Sequence, residues 1–140
     1  MTQENKELLL KYLCMALPYG VMIKEEYGDY INVNLYNAHL EHLIDRISDG
    51  LDKLVLRPMS SMTKEEREEM YNLLSPEGTA IYGNDGIALP LNHCGEFVSY
   101  EFMNRIIQYL LEHHFDFMGL IPKDLAIKVT KENNPYENGL

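Results

Sequence analysis

The chain has 140 residues, the length of one ordinary domain, and is long enough to bury a single core. A hydrophobic fraction of 46% and a charged fraction of 24% exclude wholesale disorder. The net charge of −10 opposes a phosphate backbone, so direct nucleic-acid binding is not expected; the acidity suits solubility or a basic protein partner.

Cys14 and Cys94 are too few for a disulfide scaffold and form no C-x-x-C pair, so both are read as reduced thiols of a cytoplasmic protein. Glu4 and Glu7 stand where a secretion signal needs positive charge, and Lys11 interrupts the apolar stretch. The charge-poor run from Tyr12 to Ile23 falls short of the ~20 residues of a membrane span and contains Pro18 and Gly20.

In chain order, residues 3–16 predict a helix with Leu9, Leu10, Leu13 and Leu17 on its inner side, ended by Pro18 and Gly20, with Cys14 as a small core residue. VMIKEE (21–26) and YINVNLY (30–36) predict a hairpin around Tyr27-Gly28-Asp29, with Ile31, Val33 and Leu35 alternating against Asn32 and Asn34. The spacing of Leu40, Leu43, Ile44 and Ile47 predicts a short helix over 37–49, capped by Asn37 and ended by Gly50. LVLR (54–57) reads as a strand stopped by Pro58, and 64–75 as a helix closed by Ser75-Pro76-Glu77-Gly78. TAIYG (79–83) reads as a short strand and 84–98 as loop. Residues 99–115 give the clearest helix, with Ser99 as cap and Met103, Ile106, Ile107 and Leu110 as inner stripe. LAIKV (125–129) is a last strand, and the polar tail KENNPYENGL is expected to fray.

LVLRPMSSMTKEEREEM (54–70) gathers an arginine, hydroxyls and acids, and two readings are open. Thr63 followed by Glu66 is a capping box, which makes the stretch a boundary between elements. Alternatively Arg57, Ser60, Ser61 and Thr63, with Lys64 and the free amides of a helix start, hold an anion. Glu65, Glu66, Glu68 and Glu69 would repel such an anion, so the boundary reading is favoured.

His93, Cys94, His113, His114 and Asp116 include the ligand types of a zinc site, but neighbouring helical residues point about 100° apart, and histidines suit a helix C-terminus without any metal. No metal or cofactor is expected. His39 and His42, three apart, share a helical face and are read as a solvated one. No G-x-S-x-G, Gly-rich phosphate loop or coherent nucleophile constellation occurs, so no catalytic residue is assigned. Ten tyrosines and eight methionines suit protein contact surfaces, although most of the methionines are expected to fill core gaps and two, in LRPMSSM, to lie near the surface.

LRPMSSMTKEEREEM and HHFDFMGLIPKDLAI resemble segments of small uncharacterised proteins from bacterial genomes and their phages or prophages. The resemblance covers about the C-terminal two thirds of the chain, only loosely in the hairpin region, with 37–50 differing most. It implies a cytoplasmic protein tied to mobile elements and brings no known activity. It also suggests that the two segments act together, with Arg57 pairing with Asp116 or Asp124.

The expected fold is a single α+β domain over 1–132, about three helices on one face of a small, mostly antiparallel sheet, followed by a polar tail over 133–140. The expected function is a non-enzymatic interaction or regulatory protein with a protein partner. The alternative is a small-molecule or anion binder using the 57–63 and 117–123 segments, with Arg57, Ser60, Ser61, Thr63 and Lys123 as binding residues. A third reading, an acidic mimic on a basic partner, requires binding that weakens steeply with salt.

Overall fold

The computed structural model describes the backbone of residues 1–74, 79–82, 88–91 and 100–136. Among the described residues four α-helices and six strands run in the order α1 (Gln3–Ala16), β1 (Val21–Lys24), β2 (Tyr30–Val33), α2 (Leu40–Ser48), β3 (Lys53–Leu56), α3 (Lys64–Leu74), β4 (Thr79–Tyr82), β5 (Ala88–Leu91), α4 (Tyr100–Glu112) and β6 (Ala126–Lys128). The main sheet has four strands in the order β2-β1-β3-β6. β1 is antiparallel to both neighbours, whereas β3 and β6 run parallel, with Leu54 opposite Ala126. The α+β class is as expected; the main sheet is mixed, and the described residues form four α-helices where about three were expected. Parallel neighbours need a long crossover, and α3 and α4 lie within the connection between β3 and β6.

α1 begins at Thr2, whose hydroxyl accepts from the Asn5 amide at 3.1 Å. Leu9, Tyr12, Leu13 and Ala16 are its buried stripe. Leu10 and Cys14 are exposed, against expectation: each is two residues from the fully buried Tyr12, so each points about 200° around the helix from it. The hairpin forms as expected, but Leu35 lies beyond β2 and is 61% exposed. α2 starts at Leu40, not at Asn37, and His39 at the cap position makes no capping bond; Asn37 is engaged elsewhere. Gly50 adopts φ +78°, the left-handed conformation that ends the helix.

The largest cluster of buried side chains joins Leu9, Tyr12 and Leu13 of α1, Leu43 and Ile47 of α2, the alternate residues Val21, Ile23, Leu54 and Leu56 of the sheet, and Leu111, Leu120 and Leu125. A second cluster packs α3 on α4 through Met59, Met62, Met70, Ile106, Tyr109, Leu110 and Phe115. Met59 and Met62 are therefore buried, not near the surface as expected: the short 3-10 turn Met59–Ser61 folds both under the helix pair.

β4 coincides with the strand expected over 79–83, and β5 forms within the stretch expected as loop. Pro90 sits in β5, and a two-stranded sheet leaves each strand an open edge where a missing N–H is tolerated. Ser99, expected as the cap of α4, lies outside the described residues. The tail does not fray before Tyr136: Pro135 is buried and the Tyr136 hydroxyl donates to the Val55 carbonyl at 2.6 Å. Among the described residues no helix is long and apolar enough to cross a membrane.

Candidate functional site

The two segments singled out in the sequence meet, through the backbone. β3 continues past Leu56, and the Arg57 amide donates to the His114 carbonyl at 2.9 Å while the Asp116 amide donates to the Arg57 carbonyl at 2.8 Å. This parallel bridge sets Arg57 opposite Phe115, just after α4 ends. The Arg57 guanidinium lies over the Phe115 ring, 4.1 Å from its centroid.

From there the guanidinium forks onto the Glu66 carboxylate at 2.6 and 2.7 Å and reaches the Ser61 carbonyl at 3.3 Å. Glu66 also accepts from the Thr63 amide at 2.9 Å, and the Glu66 amide donates to the Thr63 hydroxyl at 3.2 Å. This is the capping box the sequence predicts, with the arginine added to it. Burial opposes ionisation of Glu66 most strongly, but the fork from Arg57 and the Thr63 amide together hold its carboxyl down at about 2. His113 lies 3.5 Å from the same carboxylate and stacks on Tyr109 at 4.2 Å. The Tyr109 hydroxyl donates to Glu69 at 2.7 Å, and burial followed by that carboxylate raises its pKa.

Asp116 does not pair with Arg57, and Glu66 holds the fork that the expected pairing would have needed. Its buried carboxylate instead accepts from the Leu120 and Ile121 amides at 2.8 and 2.9 Å, closing the turn that carries Gly119 at φ +76°. His114, at φ +63°, stacks on Tyr136 with centroids 4.4 Å apart. Burial, then the neighbouring charges of His113 and Arg57, lower its pKa to about 4.

The candidate binding residues therefore separate. Arg57, Ser61 and Thr63 belong to one internal network, in which the Ser61 hydroxyl donates to the Pro58 carbonyl at 2.7 Å and the anion is the protein's own Glu66. Ser60 is exposed and lines a hollow of about 400 Å³ with Pro58, Met59, Phe117, Gly119 and Ile121, so this part of the two segments does share a surface. Lys123 lines a different hollow, of about 320 Å³, with Ile47, Asp52 and Asp124. His39 and His42 are exposed. His93 and Cys94 lie outside the described residues, and among the described residues no three His, Cys, Asp or Glu side chains gather as metal ligands would.

Large exposed side chains stand at the two ends of β2, among residue types that suggest no chemistry. Tyr27, Leu35 and Tyr36 are 88%, 61% and 99% exposed, all flanking β2. Tyr19, Asn32, Leu35 and Tyr36 line one shallow hollow there. The signal in the sequence is the stretch YINVNLYN (30–37), which carries no charge in a strongly acidic chain. No family model, curated protein or solved structure matches the chain.

Proposed function

We propose that this chain is a non-enzymatic protein-interaction or regulatory protein of the cytoplasm, of the kind that phages and prophages encode. The observation that supports this best is the exposure of Tyr27, Leu35 and Tyr36 around the uncharged strand β2. Leu35 and Tyr36 share one hollow past the end of β2 and Tyr27 stands in the turn before its start, and large apolar and aromatic side chains left in water favour a partner that covers them. The polar network around Arg57 supports the same reading, because its donors and acceptors are engaged with one another in holding β3, α3 and α4 together.

The test is capture of the tagged protein from its native host at low and high salt, beside a Leu35→Ser/Tyr36→Ala variant. One stoichiometric protein partner, held by the wild type and lost by the variant, is expected. A turnover activity that survives stringent purification and dies with one point mutation would sink the reading. A second reading, small-molecule binding, is favoured by the hollow between Met59 and Phe117. A ligand that raises the melting temperature of the wild type, but not of Ser60→Trp, would support it.

A further inference from the structure

β2 is one of the two outer strands of the main sheet, and the hairpin fixes which of its groups face outward. The Glu25 amide donates to the Asp29 carbonyl at 2.7 Å, and the register continues Ile23↔Ile31 and Val21↔Val33. Bonded positions alternate along an antiparallel pair, so Ile31 and Val33 bond to β1, while Tyr30, Asn32 and Asn34 turn their N–H and C=O groups away from it. Among the described residues no strand pairs with that edge.

A side chain takes part of a strand's place. Asn37 Oδ1 accepts from the Asn34 amide at 2.8 Å, and Asn37 Nδ2 donates to the Asn32 carbonyl at 3.4 Å. In a parallel ladder one residue's N–H meets the carbonyl before, and its C=O meets the amide after, the residue it faces. The Asn37 carboxamide thus makes the bonds of one residue of a parallel strand opposite Val33. A hollow of about 190 Å³ opens beside it between β2 and α2, with Ile31, Val33, Ala38 and Leu43 among its walls. A strand residue facing Val33 would direct its side chain to the same face of the sheet, into this hollow.

The hairpin end of the edge carries three acids, Glu25, Glu26 and Asp29, against Lys24, whose ammonium lies over the Tyr30 ring 5.7 Å from its centroid. Among the described residues only Glu26 of the three acids has a cation within ion-pair distance, Arg46 at 3.6 Å, which leaves Glu25 and Asp29 for a partner's charge. We propose that the outer edge of β2 docks an extended segment of another protein, parallel to β2. The segment carries a lysine or arginine at its N-terminal end and then alternating uncharged β-branched residues, and Asn37 is the internal stand-in it displaces. The inference rests on the protein-interaction reading and specifies its mode. A second copy of this chain fits less well: antiparallel pairing of two β2 strands would set both α2 helices, each with exposed Glu41 and Asp45, on one side of the joined sheet.

The experiment pans a phage-displayed library of random dodecapeptides on the full chain and measures the enriched peptides against variants. Enriched sequences are expected to share a basic residue followed by alternating β-branched residues, and their affinity to fall with salt. Asn37→Ala unblocks the edge and should tighten binding roughly threefold to tenfold. Asn32→Pro removes an outward N–H that β1 does not use and should weaken binding at least about tenfold. Glu25→Lys/Asp29→Lys, a surface change that leaves packing alone, should weaken it and flatten the salt dependence. An empty selection, acidic winners, or peptides indifferent to all three variants would overturn the proposal. If the host partner stays bound to Asn32→Pro and to the charge-reversed variant while Leu35→Ser/Tyr36→Ala loses it, strand addition fails and the interaction reading stands.

Discussion

Replacing Glu66 with glutamine keeps the side chain's size, removes the charge from the Arg57 network and turns one of its two acceptor oxygens into a donor. The wild-type carboxyl titrates at about 2, against an ordinary value of 4.5. At about 1.36 kcal/mol per unit, a lowering of that size is worth roughly 3 kcal/mol, and solvent screening on the open side of the group brings the expectation to about 2 kcal/mol. A carboxyl depressed in the folded state contributes stability that is fully present above its unfolded value and is lost as pH falls through its folded value. Urea unfolding of wild type and Glu66→Gln should therefore differ by about 2 kcal/mol at pH 7, with the gap closing between about pH 5 and pH 2 as the wild type alone loses this term. Taking the difference between the two proteins cancels the other carboxylates. A gap that stays constant across that range would refute the assignment of the stabilisation to the ionised Glu66–Arg57 pair.

Asp116→Ala leaves the Leu120 and Ile121 amides without their acceptor and should cost about 2–3 kcal/mol in the same assay. Tyr12→Phe should be neutral or stabilising by up to about 1 kcal/mol, because among the described residues the buried Tyr12 hydroxyl has no hydrogen-bond partner. The His114 imidazole, followed by NMR, should stay neutral until pH approaches about 4, and its share of stability should decline as pH falls from about 6.5 towards that value, since the folded state resists a proton the unfolded chain accepts. Tyr136→Phe removes the bond to the Val55 carbonyl and should lower stability by about 1 kcal/mol in thermal unfolding.

Local chemistry made much of the fold legible. The Thr63/Glu66 box marks the start of α3 by spacing alone, and the 3.6-residue periodicity of 100–112 marks α4. What escaped depends on contacts that spacing does not encode. Asn37 had two competing uses, as a helix cap or as a bridge to Asn34 and Asn32, and the turn after β2 decided between them. Arg57 had several acids in reach by charge, and the capping geometry of Glu66 placed that carboxylate closest. Tyr136 sits in a polar run that composition marks as loose, and one hydroxyl aimed at a sheet carbonyl holds it. The exposed surface at Leu35 and Tyr36 was hidden by the alternation itself, which counts apolar residues without saying where the strand stops.

The placement of β3 has a consequence for the order in which the molecule is made. Its first neighbour, β1, leaves the ribosome early, so the three strands β2-β1-β3, with β1 in the middle, can assemble with α1 and α2 from the first part of the chain. The second neighbour, β6, and the Tyr136 clasp over Val55 arrive only after α3 and α4 have been synthesised. Until then the nascent chain presents the β3 edge unpaired, at Leu54, Val55 and Leu56, three apolar residues in a row. The interval of synthesis between β3 and β6 is accordingly the window in which this protein is most exposed to mispairing with a neighbour.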